Sequence, residues 1–403
     1  MYYDIFYLAL KVKTKGQIEG EKLLEPKLRF KKFEDNYKKY KLKEIVDFYK
    51  GNTLSKSDIA EKGKTPCILY GELYTKYSEI AYKIFSFTNN CNSNLFYSKK
   101  NDVLIPCSGE TALDISTSTC VLFDNIAIGG DLNVLRSKNQ DGKYLSYLLS
   151  HKKRIEIAKY AQGDSIVHLY ADKIKNINIY LPNYREQEKV SSFLGLLDKK
   201  IELQKRKIGA LKIYKKGLLQ NLKSNSKDWK EFRIKDLFNI TRGQVIPKNS
   251  LRDLLDKEYK YPVYSSQTSN YGILGYDKTY DFDGQYLTWT TDGANAGKVF
   301  YRNGKFRCTN VCGLLYSSQN VAYINLLTAD LLNYETPKYV SYVGNPKLMN
   351  NVMSNIKIKL PSLKIQSKIS NIFIIFNKKI YIENQKLEKL NNLKKSLLQQ
   401  MFI

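Results

Sequence analysis

The chain has 403 residues, 43% of them apolar, enough to bury two or three cores, and its composition excludes disorder and collagen-like repetition. Sixty-six Lys and Arg against 39 Asp and Glu give a formal charge of +27, which points to a polyanionic partner, nucleic acid first. An AT-rich coding sequence would raise lysine too but would not lower the acids, and 32 tyrosines among basic residues fit a surface that meets phosphates and bases.

In chain order, the opening MYYDIFYLAL is apolar over only ten residues, carries Asp4 and follows no basic stretch, so it fails as a signal peptide or membrane span. Residues 1–25 are expected as an appended tail without assigned function, and the protein as cytoplasmic with no membrane association. The cysteines, Cys67, Cys91, Cys107, Cys120, Cys308 and Cys312, are scattered. They are expected as buried thiols of a reducing cytosol, because the one close pair, Cys308 and Cys312, lacks a second pair or a nearby histidine to complete a zinc site.

A first domain is expected over residues 26–180. It opens on Tyr40-Lys-Leu-Lys-Glu-Ile-Val-Asp-Phe-Tyr-Lys-Gly51, a short helical turn followed by a strand ending at a glycine that permits a tight turn. Strands are expected near Cys67–Tyr70, Asp102–Pro106, Thr119–Phe123, Leu132–Leu135 and Ile177–Tyr180, with a helix near Lys143–Ala161. Residues 181–226 follow as a spacer helix, of which Leu181 to Leu222 read LPNYREQEKVSSFLGLLDKKIELQKRKIGALKIYKKGLLQNL. Its apolar residues Val190, Leu194, Leu197, Ile201, Ile208, Leu211, Leu218 and Leu222 alternate steps of four and three, a heptad seam with Gln204 and Lys215 in its two gaps. Proline suits the first helical turn, and Asn183 with Glu186 can form a capping box.

A second domain, residues 227–359, repeats the opening motif 192 residues later as Phe232-Arg-Ile-Lys-Asp-Leu-Phe-Asn-Ile-Thr-Arg-Gly243. Strands are expected at Val263–Ser265, Tyr286–Thr290, Lys298–Tyr301, Gly313–Tyr316 and Ile356–Leu360, punctuated by turns at Asp283-Gly284, TDGANAGK and Asn303-Gly304. Residues 360–403 then repeat the spacer helix at an offset of 179. The seam returns as Ile369, Phe373, Phe376, Ile380, Leu387, Leu390, Leu397 and Met401, and its gaps, Glu383 and Lys394, return at the same places. Ile365 replaces Glu186, which weakens the second cap.

Each spacer helix spans about 60 Å at 1.5 Å per residue. A domain of about 135 residues, with a radius of gyration near 14 Å, cannot easily carry the chain back that far. The second helix should therefore return along the first. The expected fold is α+β, with two domains of mostly antiparallel curled sheet and short helices separated by an antiparallel two-helix coiled coil, a pseudo-two-fold repeat.

Catalytic motifs are missing. No phosphate-binding Gly-x-x-x-x-Gly-Lys-Ser/Thr loop, no Asn-Pro-Pro-aromatic motif of an amino-methyltransferase and no histidine pair at ligand spacing occurs; His151 and His168 stand alone. Asp281, Asp283 and Asp292 lack the downstream Glu-x-Lys of a metal nuclease and are expected as turn residues. The chain is expected to bind rather than catalyse, with no metal site and no cofactor of its own. Polar, aromatic or basic residues beside glycine turns are the candidate DNA readers, since Arg and Lys can hold guanine or phosphate and Asn and Gln adenine. In the first domain these are Lys50, Asn52, Lys56, Tyr74, Lys76, Ser108, Arg136 and Lys138. In the second they are Arg242, Gln244, Lys248, Ser266, Gln267, Tyr271, Thr291, Asn295 and Lys298. Because the loops differ between domains, as LYGELYTKYSEI differs from VYSSQTSNYGIL, one chain would read two different short sequences a fixed gap apart.

The segment PKLRFKKFEDNYKKYKLKEI, the two helices opening on Leu-Pro, WKEFRIKDLFNITRG and YPVYSSQTSNYGILGY together resemble the DNA-specificity subunit of type I restriction-modification enzymes, from Pro26 to Ile403. The resemblance implies a double-stranded, bipartite, asymmetric DNA target. It also implies two methyltransferase subunits, which bind S-adenosylmethionine and methylate adenine N6, and restriction subunits that use ATP and Mg to translocate and cleave DNA as a phage defence. Exposed helix faces carrying Lys199, Lys200, Arg206, Lys378 and Lys379 would help to seat the methyltransferases. The alternatives are the specificity subunit of a related methylation-based system lacking a restriction subunit, and a coiled-coil scaffold that binds protein rather than DNA.

Overall fold

The computed structural model describes residues 10–12, 25–90, 94–163, 166–317 and 321–403. They form two compact units, Met1–Gln204 with Lys386–Ile403, and Lys205–Gln385. Each unit takes in one globular domain, the start of the long helix that follows it and the end of the other long helix.

The first domain is built on a five-stranded sheet in the order Val46–Lys50, Leu132–Ser137, Val103–Pro106, Thr119–Val121 and Ile80–Ala81, antiparallel except for its last pair. A second sheet runs Ser86–Thr88, Thr65–Ile68, Ala127–Ile128 and Phe96–Tyr97, with its middle pair parallel. The second domain repeats this plan with fewer strands. Asn239–Arg242, Cys312–Tyr316, Gln285–Thr290 and Val299–Asn303 make the antiparallel sheet, and Ile273–Asp277, Tyr261–Tyr264 and Arg307–Cys308 the smaller one, again with one parallel pair. In each domain a two-stranded ribbon joins the ends of the segment, Lys38–Lys41 with Asn178–Leu181 and Lys230–Arg233 with Lys357–Leu360. All ten expected strands are present within a few residues.

The expected helix over 143–161 is broken into Gly142–Tyr147, a π turn Leu148–Lys152 and Arg154–Ala158. Its counterpart, Leu326–Glu335, was not anticipated: LLTADLLNYE is buried along most of its length, so it shows no clean apolar stripe. From the segment expected as a tail, Leu10–Val12 pairs with Leu28–Phe30. Five cysteines are buried and unbridged, with the Cys308 and Cys312 sulfurs 3.5 Å apart; Cys91 lies outside the described residues.

The glycines that close the duplicated opening motif act by close approach rather than by a left-handed turn. A Cβ on Gly51 would lie 2.0 Å from the Gly129 carbonyl oxygen, and one on Gly243 2.0 Å from that of Cys308. Equivalent hydrogen bonds frame both, from Gly51 N to Leu132 O and from Gly243 N to Cys312 O.

The long helices are Tyr184–Ser224 and Leu363–Gln400. All sixteen expected seam residues are buried or half-buried. Leu219 and Leu398, one residue past Leu218 and Leu397, are buried as well and join the cores of the second and first domains. In the second unit the helices run in opposite directions, for Lys207 meets Glu383 at 3.0 Å and Lys215 meets Asn377 at 2.9 Å. In the first unit Asp198 of one helix and Lys394 of the other are 2.7 Å apart.

The capping box at the first helix is half made. Asn183 Oδ1 accepts from Glu186 N at 2.9 Å, but the Glu186 carboxylate is taken by Arg29 at 2.8 Å to both oxygens and by the Tyr37 hydroxyl at 3.3 Å. Both helix starts instead share their glutamine. Gln187 donates to Pro182 O at 3.0 Å and Gln366 to Pro361 O at 2.9 Å, and both are fully buried. Each also grips the residue that caps its domain's helix: Gln187 accepts from Asp141 N, and Gln366 from the Asn325 side chain.

Candidate nucleic-acid interface

In each domain the strands deliver several candidate readers to one end of the main sheet. In the first, Gly51 N bonds Leu132 O at 2.9 Å, Asn52 N bonds Ile128 O at 3.1 Å and Cys107 N bonds Asp131 O at 2.7 Å. These contacts hold Lys50, Asn52 and Ser108 around the 129–131 turn, and Tyr74 lies over Gly109 beside them. Ser108 is buried, its hydroxyl 3.2 Å from His168 Nδ1. The His168 ring stacks on Tyr170, which is 56% exposed at this end and was missed because an isolated Tyr beside a histidine carries no pattern.

Other first-domain candidates lie elsewhere. Arg136 and Lys138 sit at the opposite end of strand Leu132–Ser137, where Ser137 pairs with Val46. Arg136 binds both Asp102 oxygens, at 2.9 and 2.8 Å, with its guanidinium over Tyr49 and Phe96. The Asp102 hydrogen bonds raise its pKa further, against the opposing effect of burial. Lys138 pairs with Asp47 at 3.3 Å and Lys76 with the buried Glu72 at 2.7 Å. Lys56, exposed on the helical turn Lys56–Asp58, instead stays near the sheet end, two residues past Leu54, whose carbonyl accepts from Gly130 N at 3.1 Å.

In the second domain Arg242, Gln244, Ser266 and Thr291 gather around the 308–312 turn. Gln244 N donates to Cys308 O at 3.0 Å, the Thr291 hydroxyl to Val311 O at 2.9 Å, and the Ser266 hydroxyl to the same carbonyl. Gln244 projects outward beside Val245, which is 77% exposed. Arg242 is held by Asn350 Oδ1 at 2.8 Å and Met349 Sδ at 3.4 Å. Thr291 is fully buried, and Gln267 is bonded to Ile273 O, so both support loops. Asn295 and Lys298 are exposed on the 291–298 loop, and Lys248 on the turn Lys248–Ser250. Tyr271, in a run of three left-handed residues from Asn270 to Gly272, points its ring at Tyr381 of the second long helix, 6.2 Å away.

The three aspartates weighed as a nuclease cluster are engaged separately. Asp281 binds Arg307 at 3.0 Å, Asp283 lies 3.9 Å from Lys305, and Asp292 accepts from the Thr291 hydroxyl at 3.1 Å. Among the described residues no group of three His, Cys, Asp or Glu is placed to hold a metal ion, and no helix is long and apolar enough to cross a membrane.

The two α+β domains, alike in topology and unlike in loops, each joined to a long helix of a duplicated pair, define a class of protein built on a repeated domain-and-helix unit. The family model described as type I restriction modification DNA specificity domain matches residues 34–212 and again 226–392, and the chain belongs to that family. The Mycoplasma pneumoniae protein S.MpnORF365P, named as a type I specificity subunit, is 35% identical over 232 residues, 56% of this chain and 84% of its own length. S.MpnORF289P N-terminus of the same organism is 45% identical over 148 residues, 36% of this chain and 77% of its own length. Among solved structures, the type I restriction-modification S subunit from M. genitalium shares the fold, with a TM-score of 0.66 at 19% identity over 94% of this chain and 99% of that one.

Proposed function

We propose that this chain is the sequence-reading subunit of a type I restriction-modification complex, and that it recognises a bipartite, asymmetric double-stranded DNA site. The observation that carries this reading is the duplicated sheet end. The same strand pairing, framed by Gly51 in one domain and Gly243 in the other, presents different side chains, Lys50 and Asn52 against Arg242 and Gln244. One scaffold with two sets of loops reads two half-sites. Residues 26–180 and 227–359 are the readers, and 181–226 and 360–403 the spacer. Lys50, Asn52, Lys56, Gln244, Lys248, Asn295 and Lys298, all exposed, face the DNA; Arg136, Lys76, Lys138, Ser266, Gln267 and Thr291 support the loops.

The chain carries no chemistry of its own in this reading. Methyl transfer from S-adenosylmethionine belongs to two methyltransferase subunits, and ATP- and Mg-dependent translocation and cleavage belong to restriction subunits. Methyltransferase docking on the helices is supported by an exposed apolar pair that the duplication repeats. Leu196 and Leu203 are 61% and 64% exposed, and their counterparts 179 residues on, Ile375 and Ile382, are 67% and 40% exposed. These pairs lie next to the lysine-rich faces carrying Lys199, Lys200, Arg206, Lys378 and Lys379, and supply the apolar area that lysines alone lack.

Methylome sequencing of a host with and without the gene tests the proposal. A bipartite motif methylated at adenine N6 should disappear with the gene; an unchanged methylome would refute it.

A further inference from the structure

The polar gaps in the seam are the least expected feature of the helices, because a charged side chain at a core position of a coiled coil lowers stability and persists where it fixes register. Lys215 and Lys394 occupy the same place in the two copies, 179 residues apart. The structure gives each of them one polar partner on the opposite helix and one acid on a globular domain. Each reaches across to one residue of the opposite helix and that residue is itself duplicated, Asn377 for Lys215 at 2.9 Å and Asp198 for Lys394 at 2.7 Å. Each also binds an acid of the globular domain in its own unit: Asp330 for Lys215, at 2.6 Å, and Glu79 for Lys394, at 2.9 Å.

Both clusters are largely shut off from water, with Lys215 16% and Lys394 18% exposed at the side chain, and Asp330 22% and Glu79 10%. Lys215 also lies 5.0 Å from the centre of the Phe373 ring, and Lys394 5.7 Å from that of Tyr147. Around Lys394 the second carboxylate is offset by His151, whose Nε2 is 2.5 Å from Glu79, while the Tyr147 hydroxyl donates to Asp198. Apolar side chains can slide past one another by small steps, but a lysine bound at once to a helix and to a domain has one geometry.

We propose that Lys215 and Lys394 are positioning residues that lock each recognition domain at a fixed orientation on the helix pair, and so set the gap length that the protein accepts between its half-sites. The inference rests on the bipartite reading above. Neither lysine touches DNA in it; each acts through the orientation of a domain.

The test uses the chain assembled with its methyltransferase subunits and DNA carrying both half-sites at the native gap or at one base pair more or less. Lys215→Met and Lys394→Met keep the seam filled and remove the lock. Each should reduce discrimination against the altered gaps by at least about tenfold, the ratio that 1.4 kcal/mol represents, while preference within each half-site stays as in wild type. Lys394→Arg should keep the discrimination. Should the methionine variants fail to assemble, the pair Lys215→Glu with Asp330→Lys decides: each single reversal should relax the gap and the double reversal restore it. Unchanged gap discrimination in the assembled methionine variants, or no restoration by the double reversal, overturns the inference. A wild-type complex showing no sequence selectivity would instead remove the bipartite reading.

Discussion

At the scale of single residues, a buried ion pair, a buried carboxylate and two tightly approached glycines carry forces that can be measured. The Arg29–Glu186 pair is almost fully buried, and both guanidinium hydrogen bonds to the carboxylate are 2.8 Å. Removing one partner strands the other in a dry core, so Arg29→Met should lower the stability of the first unit by about 3–5 kcal/mol, and Arg29→Met with Glu186→Leu should recover most of it; chemical denaturation of single and double variants checks this. Glu79 shows a pH effect of definite sign. Burial raises its pKa, but His151 and Lys394 outweigh that and hold it at about 2, below the ordinary 4.5. A lowered carboxylate contributes stability that is present above the unfolded pKa and lost as pH falls through the folded one. The stability difference between wild type and Glu79→Gln should therefore be of order 3 kcal/mol at neutral pH and shrink as acid is added from about pH 5 toward pH 2, followed by urea unfolding at each pH. Asp198, raised by its own burial and by the Glu79 charge, acts in the opposite direction and makes the acid limb shallower. Gly51→Ala and Gly243→Ala should each destabilise their own unit by several kcal/mol, roughly the upper range for backbone effects, because the carbonyl 2.0 Å from the added carbon cannot yield as a side-chain tip would.

At the scale of elements, the long helices stand on the burial of their seam and on two matched starts. Leu219 and Leu398 lie outside the strict heptad yet are 7% and 5% exposed, since the helix ends must cover a domain as well as a partner helix. Leu219→Ala and Leu398→Ala should each cost about 2–5 kcal/mol, read by thermal unfolding, each in the unit that buries it. The repeated exposed pairs supply a second outcome. Leu196→Ser with Leu203→Ser, or Ile375→Ser with Ile382→Ser, should leave the fold intact and remove one methyltransferase subunit of two, measured as the mass of the purified assembly. Loss of neither subunit would place docking elsewhere. The seam, its two gaps and the strands were legible because side-chain period reports local geometry directly. The helix Leu326–Glu335 was not, because an element buried on most sides loses its period. Nor were the glutamines Gln187 and Gln366, which follow the proline of each Leu-Pro start by five residues without showing whom they grip.

At the scale of the whole molecule, a charge of +27 on a chain reading DNA through two domains should appear as a steep salt dependence. Retention of a cognate duplex by the assembled complex should fall by about 10³-fold or more between 50 and 200 mM salt if six or more phosphates are neutralised, measured by fluorescence anisotropy. Exchanging residues 227–359 for the same segment of a relative should change one half of the methylated motif and leave the other, a result that methylome sequencing would show directly.

The sequence by itself determined the duplication, the alternation of domain and helix, the antiparallel seam and the basic character of the surface, because each is written in spacing or composition, which survive without knowledge of distant contacts. Only the tertiary structure decided which candidate side chains are spent inside the protein. Arg136 and Lys138 look like readers in the chain, yet their partners, Asp102 and Asp47, stand 34 and 91 residues away and are chosen by strand register. The same holds for Lys215 and Lys394. Polar gaps on a helix become locks when folding brings Asp330 and Glu79 against them, and no local pattern encodes that meeting.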